Sequence, residues 1–97
     1  MYKILFFLHK SDDENLVSSF NEKIVSKLQE MTGQNIKTAK VETNFLLDQK
    51  YSLYCEISAD SREDMDNLMY SKAGKELNKA LGELYNDLTV IAVNYNI

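Results

Sequence analysis

The chain predicts an α+β fold in the order strand, helix, strand, strand, helix, strand, with the helices on one face of a four-stranded antiparallel sheet. Three observations carry that expectation. Apolar residues alternate in some segments and recur at three- and four-residue spacing in others. Helix-start chemistry stands ahead of the helical runs. Neither a proline nor a low-complexity stretch interrupts the 97 residues, so residues 1–97 read as one domain.

The first segment, Tyr2 to His9, has Ile4, Phe6 and Leu8 on one parity and Leu5 and Phe7 on the other. A strand apolar on both faces expects cover on both. Ser11 followed by Glu14 has capping-box spacing, and Asp12 and Asp13 add negative charge where a helix N-terminus favours it. The spacing then predicts an amphipathic helix with Val17, Phe20, Ile24, Leu28 and Met31 inward, ended by Gly33. Ile36 to Leu47 alternates loosely and reads as a partly solvated edge strand. Asp48, Gln49 and Lys50 make a turn into Tyr51 to Ala59, where Tyr51, Leu53, Cys55, Ile57 and Ala59 alternate with Ser52, Tyr54, Glu56 and Ser58.

Asp60, Ser61 and Glu63 open the next helix, with Met65, Leu68 and Met69 inward. A break near Tyr70 to Ser71 precedes a longer helix carrying Ala73, Leu77, Ala80, Leu81 and Leu84, whose first turn Gly74 weakens slightly. Leu88 to Tyr95 reads as a final buried strand.

This order is that of the ferredoxin-like, split βαβ arrangement. Its two helical layers cover one face of the sheet, and the other face then exposes more apolar surface than a monomer ordinarily tolerates. A second copy of the same sheet is the simplest lid, which predicts a homodimer through the sheet face. A formal charge of -4 opposes a grip on phosphate backbones and makes nucleic acid an unexpected partner. The apolar run Ile4 to Leu8 is too short to span a membrane, and the lone Cys55 fits a reducing compartment, so no membrane partner and a cytoplasmic location are expected.

Few residues offer chemistry. His9, the only histidine, ends the first strand; it reads as a base or proton shuttle at a pocket mouth, or as an exposed junction residue beside Lys10. Tyr54 and Glu56 share one strand face, where a phenol and a carboxylate orient a polar ligand or, if the face is an interface, Glu56 needs a cross-subunit partner. Tyr95 closes the last strand and reads as a frayed end or as a residue reaching a partner. Met31, Met65 and Met69 have core spacing rather than that of a metal site, and no metal is expected. Cys55 reads as buried and inert. With three glycines and neither a dinucleotide fingerprint nor a P-loop, no cofactor is expected.

Three stretches carry a family resemblance: Lys3-Ile4-Leu5-Phe6-Phe7-Leu8-His9-Lys10, the helix holding Phe20, and Ser61 to Leu81, with Asp64, Met65, Leu68, Met69, Ser71, Ala73, Gly74 and Leu77 around a helix break and restart. In their order and spacing the chain resembles the dimeric α/β-barrel superfamily, and within it the EthD-type proteins. The resemblance implies a homodimer with a pocket in each subunit between sheet and helices, taking a small, mostly apolar molecule. Such sequences often carry a histidine on the first helix after the phenylalanine. Here Asn21 to Leu28 holds none, so no catalytic role transfers. Cofactor-independent monooxygenase or isomerase chemistry assisted by His9, Tyr54 or Glu56 is an alternative reading. A non-catalytic interaction module is a third, if residues such as Phe6, Phe20, Leu77 and Leu81 fill the space between the layers.

Overall fold

The computed structural model describes residues 1–96. Four strands, β1 (Tyr2–His9), β2 (Ala39–Lys40), β3 (Tyr51–Ala59) and β4 (Leu88–Asn94), form one antiparallel sheet in the order β2-β3-β1-β4. β1 lies at the centre, and both helical layers stand on one face.

The helix after β1 starts later than its capping box predicts. The Ser11 hydroxyl accepts from the Asp13 N–H at 3.0 Å, and Asp13 Oδ1 accepts from the Asn15 N–H at 2.9 Å. These two local turns hold the segment in a bend, and the helix begins as α1 (Leu16–Ser19). It continues through a π-helical segment, Phe20–Val25, into α2 (Ser26–Thr32). Its buried stripe is Leu16, Phe20, Ile24, Leu28 and Met31, with Val25 beside it, whereas Val17 is 44% exposed. The wider segment explains the exchange. Leu16, Phe20, Ile24 and Leu28 repeat every four residues, so on a pure α-helix the stripe would drift by about 120° over three turns. The π segment unwinds the helix locally and keeps these residues on one line. Gly33, at φ 69°, takes the left-handed conformation at the C-terminus, and its N–H donates to the Gln29 carbonyl at 2.8 Å.

The strand expected over 36–47 shrinks to Ala39–Lys40. Asn44 and Gln49 explain the loss by drawing the backbone into a loop: Asn44 Oδ1 accepts from the N–H groups of Leu46 and Leu47 at 3.0 Å each. β3 forms over its predicted span, with Cys55 and Ile57 buried on the helix side. Tyr51 departs from its predicted parity. A register shift after Leu8 pairs Leu8 with Leu53 but His9 with Tyr51, so the bulge at Ser52 turns Tyr51 to the face away from the helices.

α3 (Arg62–Tyr70) and α4 (Lys72–Glu83) meet at Ser71, as predicted. Ser61 caps α3, its hydroxyl accepting from the Asp64 N–H at 3.1 Å. Ser71 works in both directions: its hydroxyl donates to the Leu68 carbonyl at 2.6 Å and accepts from the Gly74 N–H at 3.1 Å. α4 lies alongside the first helix, where Lys27 pairs with Glu76 and Lys23 with Glu83. The Lys27 ammonium and its hydrogen bond hold the Glu76 carboxyl below the usual range.

The core between sheet and helices contains Phe6, Leu8, Phe20, Ile24, Leu28, Cys55, Met65 and Leu77, all nearly or fully inaccessible, and Leu81 packs against its edge. Ile4, Phe6 and Leu8 therefore form the inner parity of β1, with Leu5 and Phe7 outward. β4 is not the buried strand its sequence predicts. It ends at Asn94, and Val90 and Ile91, on opposite faces, are 42% and 45% exposed. As the last strand of the sheet, β4 lies beyond the helical cover.

Candidate functional site

All four residues singled out from the sequence, His9, Tyr54, Glu56 and Tyr95, belong to the sheet face that the helices leave bare. The pairings Leu5 with Glu56, Phe7 with Tyr54 and Lys3 with Val93 set that face, and the Tyr95 N–H continues the ladder by donating to the Met1 carbonyl at 2.9 Å.

The face has two parts. At the Tyr2 end of β1, the Tyr54 hydroxyl donates to Glu56 Oε2 at 2.7 Å and Lys3 Nζ donates to Glu56 Oε1 at 3.4 Å. Lys3 Nζ also stands 5.8 Å from the centre of the Tyr95 ring, within cation–π range. Glu56 thus finds its partners within its own chain and needs no cross-subunit donor. Desolvation, followed by the bond to Glu56, pushes the Tyr54 phenol well above the ordinary tyrosine range. The phenol stays protonated and serves as a donor rather than as a base.

At the other end, Phe7 packs on Tyr51 and Tyr54, with ring centres at 4.8 and 4.9 Å, and the His9 ring lies 5.7 Å from Tyr51. His9 Nε2 and Thr89 Oγ1 share a hydrogen bond of 2.7 Å. Two clefts meet at His9. One, of about 550 Å³, is lined by His9, Lys10, Gln49, Lys50, Tyr51 and Thr89. The other, of about 490 Å³, opens between the end of β1 and the start of α1, beside Leu8, Ser11, Leu16 and Ser52. Both volumes suit a small molecule.

Sequence reasoning missed Lys3, Phe7, Tyr51 and Thr89 as members of this face. Lys3 carried a signal, being the one charge within an apolar strand. Tyr51 carried none, because only the bulge at Ser52 turns it outward.

Cys55 stands on the opposite, helix-facing side. Burial, with a smaller effect from the Glu56 charge, pushes its thiol up to about 12. A thiol reagent at neutral pH should therefore leave the folded protein unmodified and titrate one equivalent in denaturant; rapid native labelling would show that the layer opens.

No profile of a known protein family matches the chain, and no curated protein matches it. Solved structures do. A crystal structure of an EthD (ethyl tert-butyl ether D) family protein from Bacillus halodurans superposes with a TM-score of 0.76 at 18% identity, covering 97% of each chain. A protein from Arabidopsis thaliana gives 0.62 at 14% identity, over 99% of this chain and 93% of that one. A dimeric protein of unknown function and ferredoxin-like fold from Bacteroides fragilis gives 0.50 at 19% identity, over 97% and 95%. The strand order, the two helical layers on one face and these superpositions agree: the chain has a ferredoxin-like α+β fold, the fold of that EthD family protein.

Proposed function

We propose that this protein is a small cytoplasmic homodimer that binds a small, mostly apolar molecule carrying an oxygen function, with the bare sheet face as the dimer contact and the clefts at His9 as the binding site, in place of the expected pocket between sheet and helices, where buried side chains such as Phe6, Phe20 and Leu77 pack. One observation carries the reading. The polar residues His9, Tyr54 and Glu56 stand on the same uncovered face as Leu5, Phe7, Ile91 and Val93, so the apolar surface that needs a lid and the groups able to orient a ligand coincide. The dimeric state described for the Bacteroides fragilis protein of like fold supports the first half. Tyr51 and Phe7 supply an aromatic wall, and the His9–Thr89 pair supplies a polar end.

Sedimentation at micromolar concentration should give twice the 11.2 kDa chain mass. A panel of phenols, quinols and lactones, followed by the backbone amide chemical shifts of Tyr51 and Thr89, should yield a saturable binder whose affinity falls about tenfold, or about 1.4 kcal/mol, in His9→Ala. A strictly monomeric species, or no saturable shift across the panel, removes the reading.

The hydrogen bond shared by His9 Nε2 and Thr89 Oγ1 favours a second reading, cofactor-independent monooxygenase or isomerase chemistry with His9 moving a proton. Equal turnover by wild type and His9→Ala would dismiss it.

A further inference from the structure

The loop between β2 and β3 presents Phe45, Leu46 and Leu47 at 95%, 91% and 75% exposure. Three consecutive large apolar side chains in water mark a contact surface. Their backbone is already ordered: Asn44 Oδ1 holds the N–H groups of Leu46 and Leu47, and Gln49 anchors the base of the loop to the Val41 carbonyl and to the backbone of Tyr51. At the opposite edge of the same sheet, β4 leaves two apolar side chains open, Ile91 on the bare face and Val90 on the other. We infer that the 45–47 loop is an arm that clasps the β4 edge of a second copy of this chain and closes that copy's His9 cleft.

Symmetry carries the assignment. In the aligned class of face-to-face packing, where the strands of the two sheets run within about 30° of one another, the two-fold axis lies either along the strands or across them. An axis across the strands sets each arm against the partner's β2 edge, where only Ala39 and Lys40 are available. An axis along the strands lays the β2 edge of one copy over the β4 edge of the other and keeps both His9 ends together. The arm, which leads into Tyr51 beside His9, then lands on the end of β4 where Thr89 bonds His9. That is the mouth of the cleft lined by His9, Tyr51 and Thr89.

Size points the same way. The described residues of the bare face offer thirteen outward positions: four on β1, four on β3, three on β4, Ala39 on β2, and Tyr95 just past β4. A stable interface takes about 20 to 30 residues a side, so the sheet alone falls short and the arm supplies apolar area. A net charge of -4 disfavours the other common occupant of an exposed apolar tip, an anionic membrane surface.

The inference rests on the dimeric reading above, and its test separates the two. Chains carrying Leu46→Cys mixed with chains carrying Ile91→Cys should give a crosslinked pair with a short bis-maleimide, Cys55 being buried and silent. The triple variant Phe45→Ser, Leu46→Ser, Leu47→Ser should weaken dimerisation at least thirtyfold while leaving the far-UV spectrum unchanged. A dimer of unchanged affinity with no mixed crosslink overturns the arm and leaves the dimeric reading standing; a monomeric wild type overturns both. Wild-type binding to phosphatidylcholine vesicles that the triple variant loses would give the tip to lipid and overturn the clasp.

Discussion

Gly74→Ala is expected to lower the unfolding midpoint by about 5 to 20 °C, from an overpacking cost of about 1–3 kcal/mol in a domain of this size. Helix propensity alone gives the opposite sign, since alanine is favoured over glycine inside a helix by about 0.8–1.0 kcal/mol. Sterics reverse it. A Cβ on Gly74 would lie 2.3 Å from the Met69 carbonyl oxygen and 2.5 Å from that of Leu68. Both are backbone atoms of the last turn of α3, so the clash is relieved only by moving α3 away from α4. That movement would also pull on Ser71, whose hydroxyl bonds Leu68 on one side and Gly74 on the other. Gly82 is the internal control. It lies in the same helix with nothing within 4 Å of its would-be Cβ, so Gly82→Ala should stabilise by about 0.5–1 kcal/mol. Thermal unfolding of the two variants checks both signs, and a Gly74→Ala protein as stable as wild type would refute the close approach.

Phe20→Ala should cost about 3–5 kcal/mol, a large share of the about 5–15 kcal/mol that holds a typical domain folded. Phe20 is fully buried at the start of the π segment, in a core that also holds Phe6, Leu8, Ile24 and Leu28. Val17→Ala, three residues earlier, should change stability by no more than about 0.5 kcal/mol, because Val17 is 44% exposed. Urea titration of the pair measures the phase of the helix. Similar costs at the two positions would mean that a regular α-helix with Val17 inward, as three- and four-residue spacing alone suggests, is the conformation in solution.

The arm and the bare face belong to one physical problem. Leu5 and Phe7 are half-buried, Ile91 is open on the same face, and Phe45 to Leu47 are almost fully open in the loop between β2 and β3. A chain this small buries a limited fraction of its surface by itself. Lys3, Glu56 and Tyr54 satisfy one another across β1 and β3, so that part of the face can enter a dry contact without an orphaned charge. Tyr54 remains neutral there because the same desolvation that an interface requires already raises its phenol.

The sequence by itself determined the element order, the span of β3, the Ser71 break, the Gly33 terminus and the inner parity of β3. Each of these follows from interactions between neighbours in the chain: a cap, a left-handed glycine or an alternation. It also singled out four polar residues without showing that they share a face. Tertiary structure decided the rest. The phase of the first helix depends on a π segment that pays off only when Leu16 and Leu28 meet the same core, and the length of β2 depends on Asn44 and Gln49 competing for its backbone. The outward turn of Tyr51 depends on pairing Leu8 with Leu53. The exposure of β4 follows from its place beyond the helices, and the need for glycine at 74 from how closely two helices cross. Local patterns specify which residues a segment can bury; only the packing partners specify which of them it does bury.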